Sequence, residues 1–199
     1  FGLAPARRKL AAMQNEINAA KRLVIKVGSS LLIRDGVLDK QWLTGLAEEI
    51  KTASARGQQI MVVTSGAVAL GSAGAGLDRQ TLTLEQSQAA AAIGQIALTQ
   101  GWQDCLADKG LKAAQILLTL GDTEQRRRYL NARRTLQALL DMGTVPVINE
   151  NDTVATQELR YGDNDRLAAR VAGMMSADCL ILLSDVDGFY TAAPETDEN

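Results

Sequence analysis

The chain has 199 residues, of which 46% are hydrophobic, and a formal net charge of -2. This length and composition suffice for one sizeable α/β domain with a buried core, and the slightly acidic balance argues against a nucleic-acid surface. Histidine is absent, which excludes Ser-His-Asp, Cys-His and imidazole-metal chemistry. Carboxylates, amides, lysine and backbone groups must therefore supply whatever chemistry the chain performs.

Cysteine content and hydropathy indicate in which cellular compartment we expect the protein. Cys105 and Cys179 are the only cysteines and lie far apart in apolar settings, which supports neither a disulfide framework nor a zinc site. No apolar run approaches the roughly 18 residues needed to span a bilayer, and the opening residues have no hydrophobic signal-peptide core. We expect a cytoplasmic, soluble protein with no metal ligands of its own.

Short apolar runs alternate along the chain with longer helical patterns. Residues 1–21 are alanine-rich and predict an N-terminal helical extension before the main domain at 22–199. The strand candidates are 23–27, 59–64, 113–119, 145–149 and 178–184. The helix candidates are 40–56, 84–109, 123–142 and 164–176. Glycines follow three of these helices as C-terminal stops: Gly57, Gly110 and Gly143. The alternation predicts a doubly wound α/β fold with a mainly parallel sheet sandwiched by helices.

Polar clusters follow four of the predicted strands. They are KVGSS at 26–30, TSGA at 64–67, NEND at 149–152 and SDVDG at 184–188. Because the carboxyl ends of parallel strands meet at one edge of the sheet, these clusters predict a single composite site. Glycine directly after a buried strand lets backbone N–H groups approach an anion, and Lys26 is costly to bury in an apolar strand unless it meets one. The pattern indicates phosphate binding, although neither the P-loop nor the Rossmann fingerprint occurs.

Other polar and glycine-rich stretches have simpler interpretations. A second Asn and Asp cluster, GDND at 162–165, lies at a predicted helix start, where Asp163 also suits an N-cap. GSAGAGL at 71–77 has no lysine, and we interpret it as structural. RRRY at 126–129 is interpreted as a solvated helix face.

Seven motifs then point to a family: KVGSS, VTSGAVALG, AAAAIGQIAL, LNARRTLQALL, VPVINENDTVAT, YGDNDRLAARVA and LLSDVDGFYTAAP. In order and spacing they resemble the glutamate 5-kinases, a branch of the amino-acid kinase family, over about residues 22–195. NEND followed by GDND is specific to this branch. The resemblance implies the amino-acid kinase fold and phosphorylation of the γ-carboxylate of L-glutamate by ATP and Mg²⁺, the first step of proline biosynthesis.

The resemblance also implies roles for individual residues. Lys26 and Asp165 would be catalytic, with Lys26 neutralising charge on the transferring phosphoryl group and Asp165 orienting Lys26 by ion pairing. The amino acid would be held by Ser65, Asn149, Asp152, Asp163 and Asn164. The nucleotide would be bound by Lys26, Gly28, Gly66, Ser184 and Asp185. Mg²⁺ would bridge the nucleotide phosphates without a dedicated protein cage.

The same resemblance has implications for the partners of the protein and for how much of the kinase domain these residues cover. It implies a homo-oligomer, feedback inhibition by proline and functional coupling to γ-glutamyl phosphate reductase. The glycine-rich segment G-T-G-G-M-x-T-K, which carries a second catalytic lysine in this family, is not among the 199 residues. We therefore expect the C-terminal part of the kinase domain, and the PUA domain of many bacterial members, to lie outside this sequence. Two alternatives stay open: a catalytically silent module that binds glutamate or proline, and a kinase of a related small acid.

Overall fold

The structure, a computed structural model, describes residues 13–155 and 163–185. The strands are β1 (Arg22–Val27), β2 (Ile33–Arg34), β3 (Val37–Leu38), β4 (Gln59–Thr64), β5 (Lys112–Leu118), β6 (Thr144–Glu150) and β7 (Cys179–Leu183). The helices are α1 (13–19), α2 (Ser29–Leu32), α3 (Lys40–Ala55), α4 (Ala67–Ala75), α5 (Leu84–Ala107), α6 (Leu120–Glu124), α7 (Arg126–Asp141) and α8 (Asp163–Met175). A 3-10 turn covers Asp152–Val154.

Five of these strands form one parallel sheet in the order β5, β6, β4, β1, β7. The register aligns Val27 of β1 with Thr64 of β4 on one side and with Leu183 of β7 on the other. The remaining two strands, β2 and β3, pair as a separate antiparallel hairpin. The predicted α/β fold with a parallel sheet is confirmed, and the carboxyl ends of the five strands share one edge.

Helices cover both faces of the sheet and enclose two apolar cores. Leu23, Ile25 and Val27 of β1 contact the core shared with α3, α4 and α5, whereas Val24 contacts the core shared with α7 and α8. Side chains alternate between the faces of a strand, so Lys26 projects on the same face as Val24. This alternation directs the Lys26 side chain, the single charged one in the interior of β1, towards the layer formed by α7 and α8.

Helices α4 and α5 pack so closely that their backbones touch. A Cβ atom on Gly71 would lie 1.7 Å from the carbonyl oxygen of Ala90, and one on Gly94 would lie 1.9 Å from that of Ala67. Neither glycine tolerates a side chain without separation of the helices. Gly71, the first residue of the glycine-rich stretch at 71–77, therefore has a packing role, whereas a Cβ atom on Gly74 or Gly76 would meet no atom within 4 Å.

Several element boundaries follow the sequence prediction closely. The three predicted stop glycines, Gly57, Gly110 and Gly143, all have positive φ angles. The predicted helix at 123–142 divides into α6 and α7, because Gln125 between them has an extended backbone. The short α4 helix and the β2–β3 hairpin were not among the predicted elements.

The described part of the N-terminal extension contacts the sheet domain. The side-chain amide of Gln58 donates to the carbonyl oxygens of Ile17 and Ala20, at 2.8 and 2.6 Å. Ile17 also packs against the first core. Within residues 13–155 and 163–185, no helix combines the length and the apolar character needed to cross a bilayer.

Candidate functional site

The ends of β1, β4 and β7 are tied together at one edge of the sheet. The N–H of Gly28 donates to the carbonyl oxygen of Leu183 at 3.1 Å, and the N–H of Ser65 donates to that of Val27 at 3.2 Å. The loops that begin with Gly28, Ser65 and Ser184 are therefore neighbours, as the polar clusters predicted. Because its own N–H is engaged, Gly28 cannot offer that group to an anion.

Lys26 forms the charged centre of this edge. Its Nζ atom lies 2.7 Å from Oδ1 of Asp165, in the first turn of α8. The Lys26 side chain is 12% exposed, whereas that of Asp165 is 46% exposed, so the pair lies at the boundary between core and solvent. An ammonium carries three N–H groups, and one carboxylate oxygen takes only one of them. The geometry suits a cation that is held in place and still reaches an anion beside the Gly28 loop.

Helix α4 begins at the same edge, directly after Gly66. Gly66 has φ +112°, a conformation that favours glycine, and a Cβ atom there would also displace the end of the Ile33 side chain, whose Cδ1 atom would lie 2.6 Å away. The first four N–H groups of a helix have no intrahelical partner, and they carry partial positive charge. The turn at Ser65 and Gly66 thus presents backbone donors on the strand next to Lys26.

Asn164 lies beside Asp165 at the start of α8. Its Oδ1 atom is buried and has no hydrogen-bond partner among the described residues. A buried amide oxygen without a partner is costly, and a polar ligand that donates a hydrogen bond would relieve that cost. Asp163 is the first residue of α8, but its side chain lies outside the described part of the structure, as does the segment 156–162 before it.

Asn149 and the nearby Asp152 lie one strand further along the edge. Asn149 is only 2% exposed, and its Nδ2 atom donates to Oε1 of Gln95 on α5 at 2.8 Å. Its Oδ1 atom accepts from the N–H of Glu150 at 2.9 Å. Asn149 therefore links β6 to α5 and leaves only one amide N–H for a ligand.

A cavity of about 380 Å³ opens between α5, β5 and the end of β6. Its polar lining includes Gln95, Gln115, Glu150 and Asp152. Lys26, Ser65 and Asn164 do not line it. The structure thus places the predicted residues in two neighbouring groups along the edge, rather than around one described cavity.

Ser184 and Asp185 follow β7 and are exposed. The Ser184 hydroxyl lies 3.2 Å from Oδ1 of Asp185 and donates to it. Ser184 directly follows Leu183, whose carbonyl oxygen accepts from the N–H of Gly28. Ser184 and Asp185 therefore flank the Gly28 loop on the side opposite Ser65.

Two contacts behind the site were not predicted from the sequence. Gln95 supports Asn149, and Nε1 of Trp102 donates to Oγ1 of Thr64 at 3.0 Å, immediately before Ser65. Both side chains lie on α5, where Gln95 accepts from Asn149 and Trp102 donates to Thr64. A glutamine within the alanine-rich run AAAAIGQIAL, and a tryptophan whose N–H needs a partner when buried, are signals that could have identified them.

No group of three or more His, Cys, Asp or Glu side chains in the described part of the chain is arranged to hold a metal ion. Asp165, at the same edge of the sheet as the Gly28 loop, is paired with Lys26.

Comparison with known proteins matches this architecture to a family. The sequence model of the amino acid kinase family matches residues 21–199. A protein named glutamate 5-kinase 1 from Mesorhizobium japonicum is 61% identical over 178 residues, which cover 89% of this chain and 47% of that protein. Glutamate 5-kinases from Paramagnetospirillum magneticum and Paracoccus denitrificans are 61% identical over 181 residues and 54% identical over 188 residues. These matches cover 90% and 94% of this chain, and 49% and 51% of the two proteins.

The chain spans about half the length of the curated relatives it matches. The match covers the parallel sheet, the Lys26 edge and the start of α8. With the family model extending over most of its residues, the chain belongs to the amino acid kinase family.

Proposed function

We propose that the full-length protein transfers the γ-phosphoryl group of ATP to the γ-carboxylate of L-glutamate. The observation that carries this proposal is the ion pair between Lys26 and Asp165, at the end of β1 and beside two glycine loops. Such a pair provides a fixed positive charge where a transferring phosphoryl group needs one. Relatives that bear the name glutamate 5-kinase support the choice of substrate.

In this proposal the phosphate groups bind between Lys26 and the start of α4. The Lys26 ammonium offsets the charge that develops on the equatorial phosphoryl oxygens, and Asp165 holds it there. Gly66 and the next N–H groups of α4 donate to phosphate oxygens. The Gly28 loop contributes through groups after Gly28, because the N–H of Gly28 itself is engaged with Leu183.

Glutamate lies on the other side of the transferred group. The Oδ1 atom of Asn164 accepts from the substrate ammonium, which gives this buried oxygen a donor that the described residues do not supply. Asp152 adds a carboxylate for the same cation, and the Ser65 hydroxyl donates to a substrate carboxylate. Asn149 contributes its one remaining amide N–H, while Asp163 acts in the same loop. These side chains form what we call the glutamate clamp.

The reaction then needs positioning and charge neutralisation rather than a base. The γ-carboxylate is ionised at neutral pH, so its oxygen attacks the γ-phosphorus directly. A carboxyl O–P bond forms, the bond between that phosphorus and the β,γ-bridging oxygen breaks, and ADP leaves with the electron pair. Mg²⁺, when bound to the nucleotide phosphates, supplies further neutralising charge. Ser184 and Asp185 lie on the nucleotide side. The lack of histidine is no obstacle to this mechanism.

The test is glutamate-dependent ADP release by the full-length protein with Mg²⁺, compared with N-acetylglutamate and aspartate as acceptors. We expect release with glutamate and little with the other two. Release with another acceptor would identify a kinase of a related small acid. Glutamate binding by calorimetry without ADP release would identify the catalytically silent module instead.

Homo-oligomerisation, feedback inhibition by proline and coupling to γ-glutamyl phosphate reductase belong to the same proposal. Each is a prediction about the full-length protein. Sedimentation, and ADP release measured with added proline, test the first two directly.

A further inference from the structure

A buried hydrogen-bond chain connects α5 to the turn that follows β4. The indole Nε1 of Trp102 lies 3.0 Å from Oγ1 of Thr64, and Thr64 Oγ1 lies 3.3 Å from the carbonyl oxygen of Ser65. Trp102 and Thr64 are both 0% exposed. Burial of an indole N–H and a hydroxyl in an apolar core is costly unless both are paired, so these polar groups fit this position only as partners.

The direction of the chain follows from the chemistry of its members. An indole N–H can donate but cannot accept, so Thr64 Oγ1 must be the acceptor in the first hydrogen bond. The hydroxyl proton of Thr64 is then directed elsewhere, and the Ser65 carbonyl oxygen accepts it. Loss of the indole donor would free the hydroxyl to turn away from this carbonyl.

The second hydrogen bond orients one particular peptide group. The peptide between Ser65 and Gly66 is planar, with its C=O and N–H antiparallel, so a fixed Ser65 carbonyl also fixes the direction of the Gly66 N–H. Backbone hydrogen bonds already hold the peptides on either side: Ser65 N–H donates to Val27, and Leu70 N–H donates to the Gly66 carbonyl oxygen. Neither of these backbone hydrogen bonds involves the peptide between Ser65 and Gly66 itself, whose carbonyl oxygen accepts from the Thr64 side chain.

We infer that Trp102 is a positioning residue for phosphoryl transfer, which acts through Thr64 to aim the Gly66 N–H at a phosphate oxygen. This inference rests on the proposed function for its catalytic consequence, but the orientation itself does not. Pre-oriented donors stabilise a transition state more than donors that must reorganise, so the effect falls on kcat more than on KM for glutamate.

The variants that test this inference are Trp102→Phe, which removes the donor, and Thr64→Val, which removes the hydroxyl. Thr64→Ser keeps the hydroxyl and is the conservative control. Trp42→Phe changes the other tryptophan, which packs at the edge of the same core on α3. If Thr64→Val fails to fold, Trp102→Phe and Thr64→Ser carry the test.

One readout does not require activity. Ser65–Gly66 is the only Ser-Gly pair in the 199 residues, so carbonyl-¹³C serine combined with ¹⁵N glycine selects the amide signal of Gly66 together with that of any Ser-Gly pair outside these residues. The assignment is checked in the full-length protein by loss of the signal in Ser65→Ala. We expect Trp102→Phe and Thr64→Val to move the signal in the same direction, and Thr64→Ser and Trp42→Phe to leave it in place. A Gly66 signal that stays put in Trp102→Phe overturns the inference.

The second readout is kinetic. We expect Trp102→Phe to lower kcat about tenfold, with KM for glutamate changed by less than about twofold, as for loss of one hydrogen bond that acts in the transition state. The double variant Trp102→Phe with Thr64→Val should be no slower than Thr64→Val alone, because both act on one peptide. Additive losses overturn the inference. A displaced Gly66 signal in a protein without kinase activity would leave the orientation established and refute the proposed function.

Discussion

Lys26 Nζ lies 2.7 Å from Asp165 Oδ1, an ion pair that joins β1, an interior strand of the sheet, to the first turn of α8. The lysine is nearly buried and the aspartate is half exposed. An ammonium in this position is stabilised by its partner and remains close to the Gly28 loop, where a Cβ atom would lie 3.7 Å from Nζ. The pair therefore has a structural role, as a link between β1 and α8, and a chemical role, as a positive charge beside the Gly28 loop. Substitutions can separate the two roles.

Removal of Lys26 should lower turnover more than removal of its partner Asp165. In the full-length protein we expect Lys26→Ala to reduce kcat by about 10³-fold, because it removes the positive charge itself. We expect Asp165→Asn to reduce kcat by about 100-fold, because the Lys26 ammonium remains but loses the carboxylate that holds it in position. Steady-state ADP release measures both. Lys109→Ala is the matched control, since Lys109 Nζ also lies 2.7 Å from a carboxylate, that of Glu48, away from the sheet edge. Near-normal turnover in Lys26→Ala would remove this residue from the mechanism.

Changes in the glutamate clamp should affect the amino acid and not the nucleotide. We expect Asp152→Ala and Asn164→Ala to raise KM for glutamate at least about tenfold and to change KM for ATP little, because each loses a charged or buried hydrogen bond to the amino acid. Asn151→Ala is the control, as the side chain of Asn151 accepts from the neighbouring Thr153 hydroxyl. Equal losses for both substrates would point instead to a displaced loop.

Gly71 and Gly74 provide a contrast within one helix. A Cβ atom on Gly71 would overlap the Ala90 carbonyl oxygen, whereas one on Gly74 would meet no atom within 4 Å. We expect Gly71→Ala to lower the free energy of unfolding by about 3 kcal/mol through overpacking. Gly74→Ala should raise it by about 0.5 kcal/mol, because alanine favours a helix. Chemical denaturation measures both, and similar values for the two variants would contradict the close contact of α4 and α5.

Asp122 should make stability depend on pH in the acid range. Burial alone would raise the pKa of Asp122, but hydrogen bonds from the Thr119 N–H and hydroxyl, together with Arg128, outweigh it and hold the pKa below the ordinary value of 3.8. A depressed carboxylate pKa stabilises the folded state at pH above 3.8, and this contribution is lost as pH falls below that value. We therefore expect Asp122→Asn to be less stable than the parent protein near neutral pH.

The difference between Asp122→Asn and the parent protein should shrink as pH is lowered through that window. Thermal unfolding at several pH values measures it. Asp104→Asn is the control, because the exposed Asp104 carboxylate accepts from the neutral amide of Gln100. A constant difference for Asp122→Asn from neutral to acid pH would show that charge at this position is not what stabilises α6.

Much of the fold was predictable because apolar strands and stop glycines are local signals. Lys26 was also predictable as a functional candidate, since a charge within an apolar strand is exceptional whatever its partner. The partner's role came from the resemblance, because nothing local in the sequence connects Lys26 to Asp165. The break between α6 and α7 was missed for a different reason. It arises from the extended backbone of a single residue, Gln125, within an otherwise helical sequence pattern.

The fine structure of the candidate site was less accessible. The pattern NEND suggested that Asn149 faces a ligand, whereas its amide is largely engaged by Gln95, which is 54 residues away. Trp102 and Thr64 are 38 residues apart, and their contact depends on the close approach of α4 and α5 that Gly71 and Gly94 permit. Hydrophobic periodicity reports which face of an element is buried, but it does not report which polar side chains meet there.

The position of β1 also determines when the sheet can be completed during synthesis. Its neighbour on one side, β4, follows it closely in the sequence and emerges soon after it, but β7 emerges only after α8, and Arg22 and Asp178 are 156 residues apart. Until β7 has left the ribosome, one side of the first strand has no backbone partner, and Asp178 cannot accept from the N–H groups of Lys21 and Arg22. Among the described strands, the earliest to be made is thus among the last to be fully paired, and the sheet stays half-finished until β7 has left the ribosome.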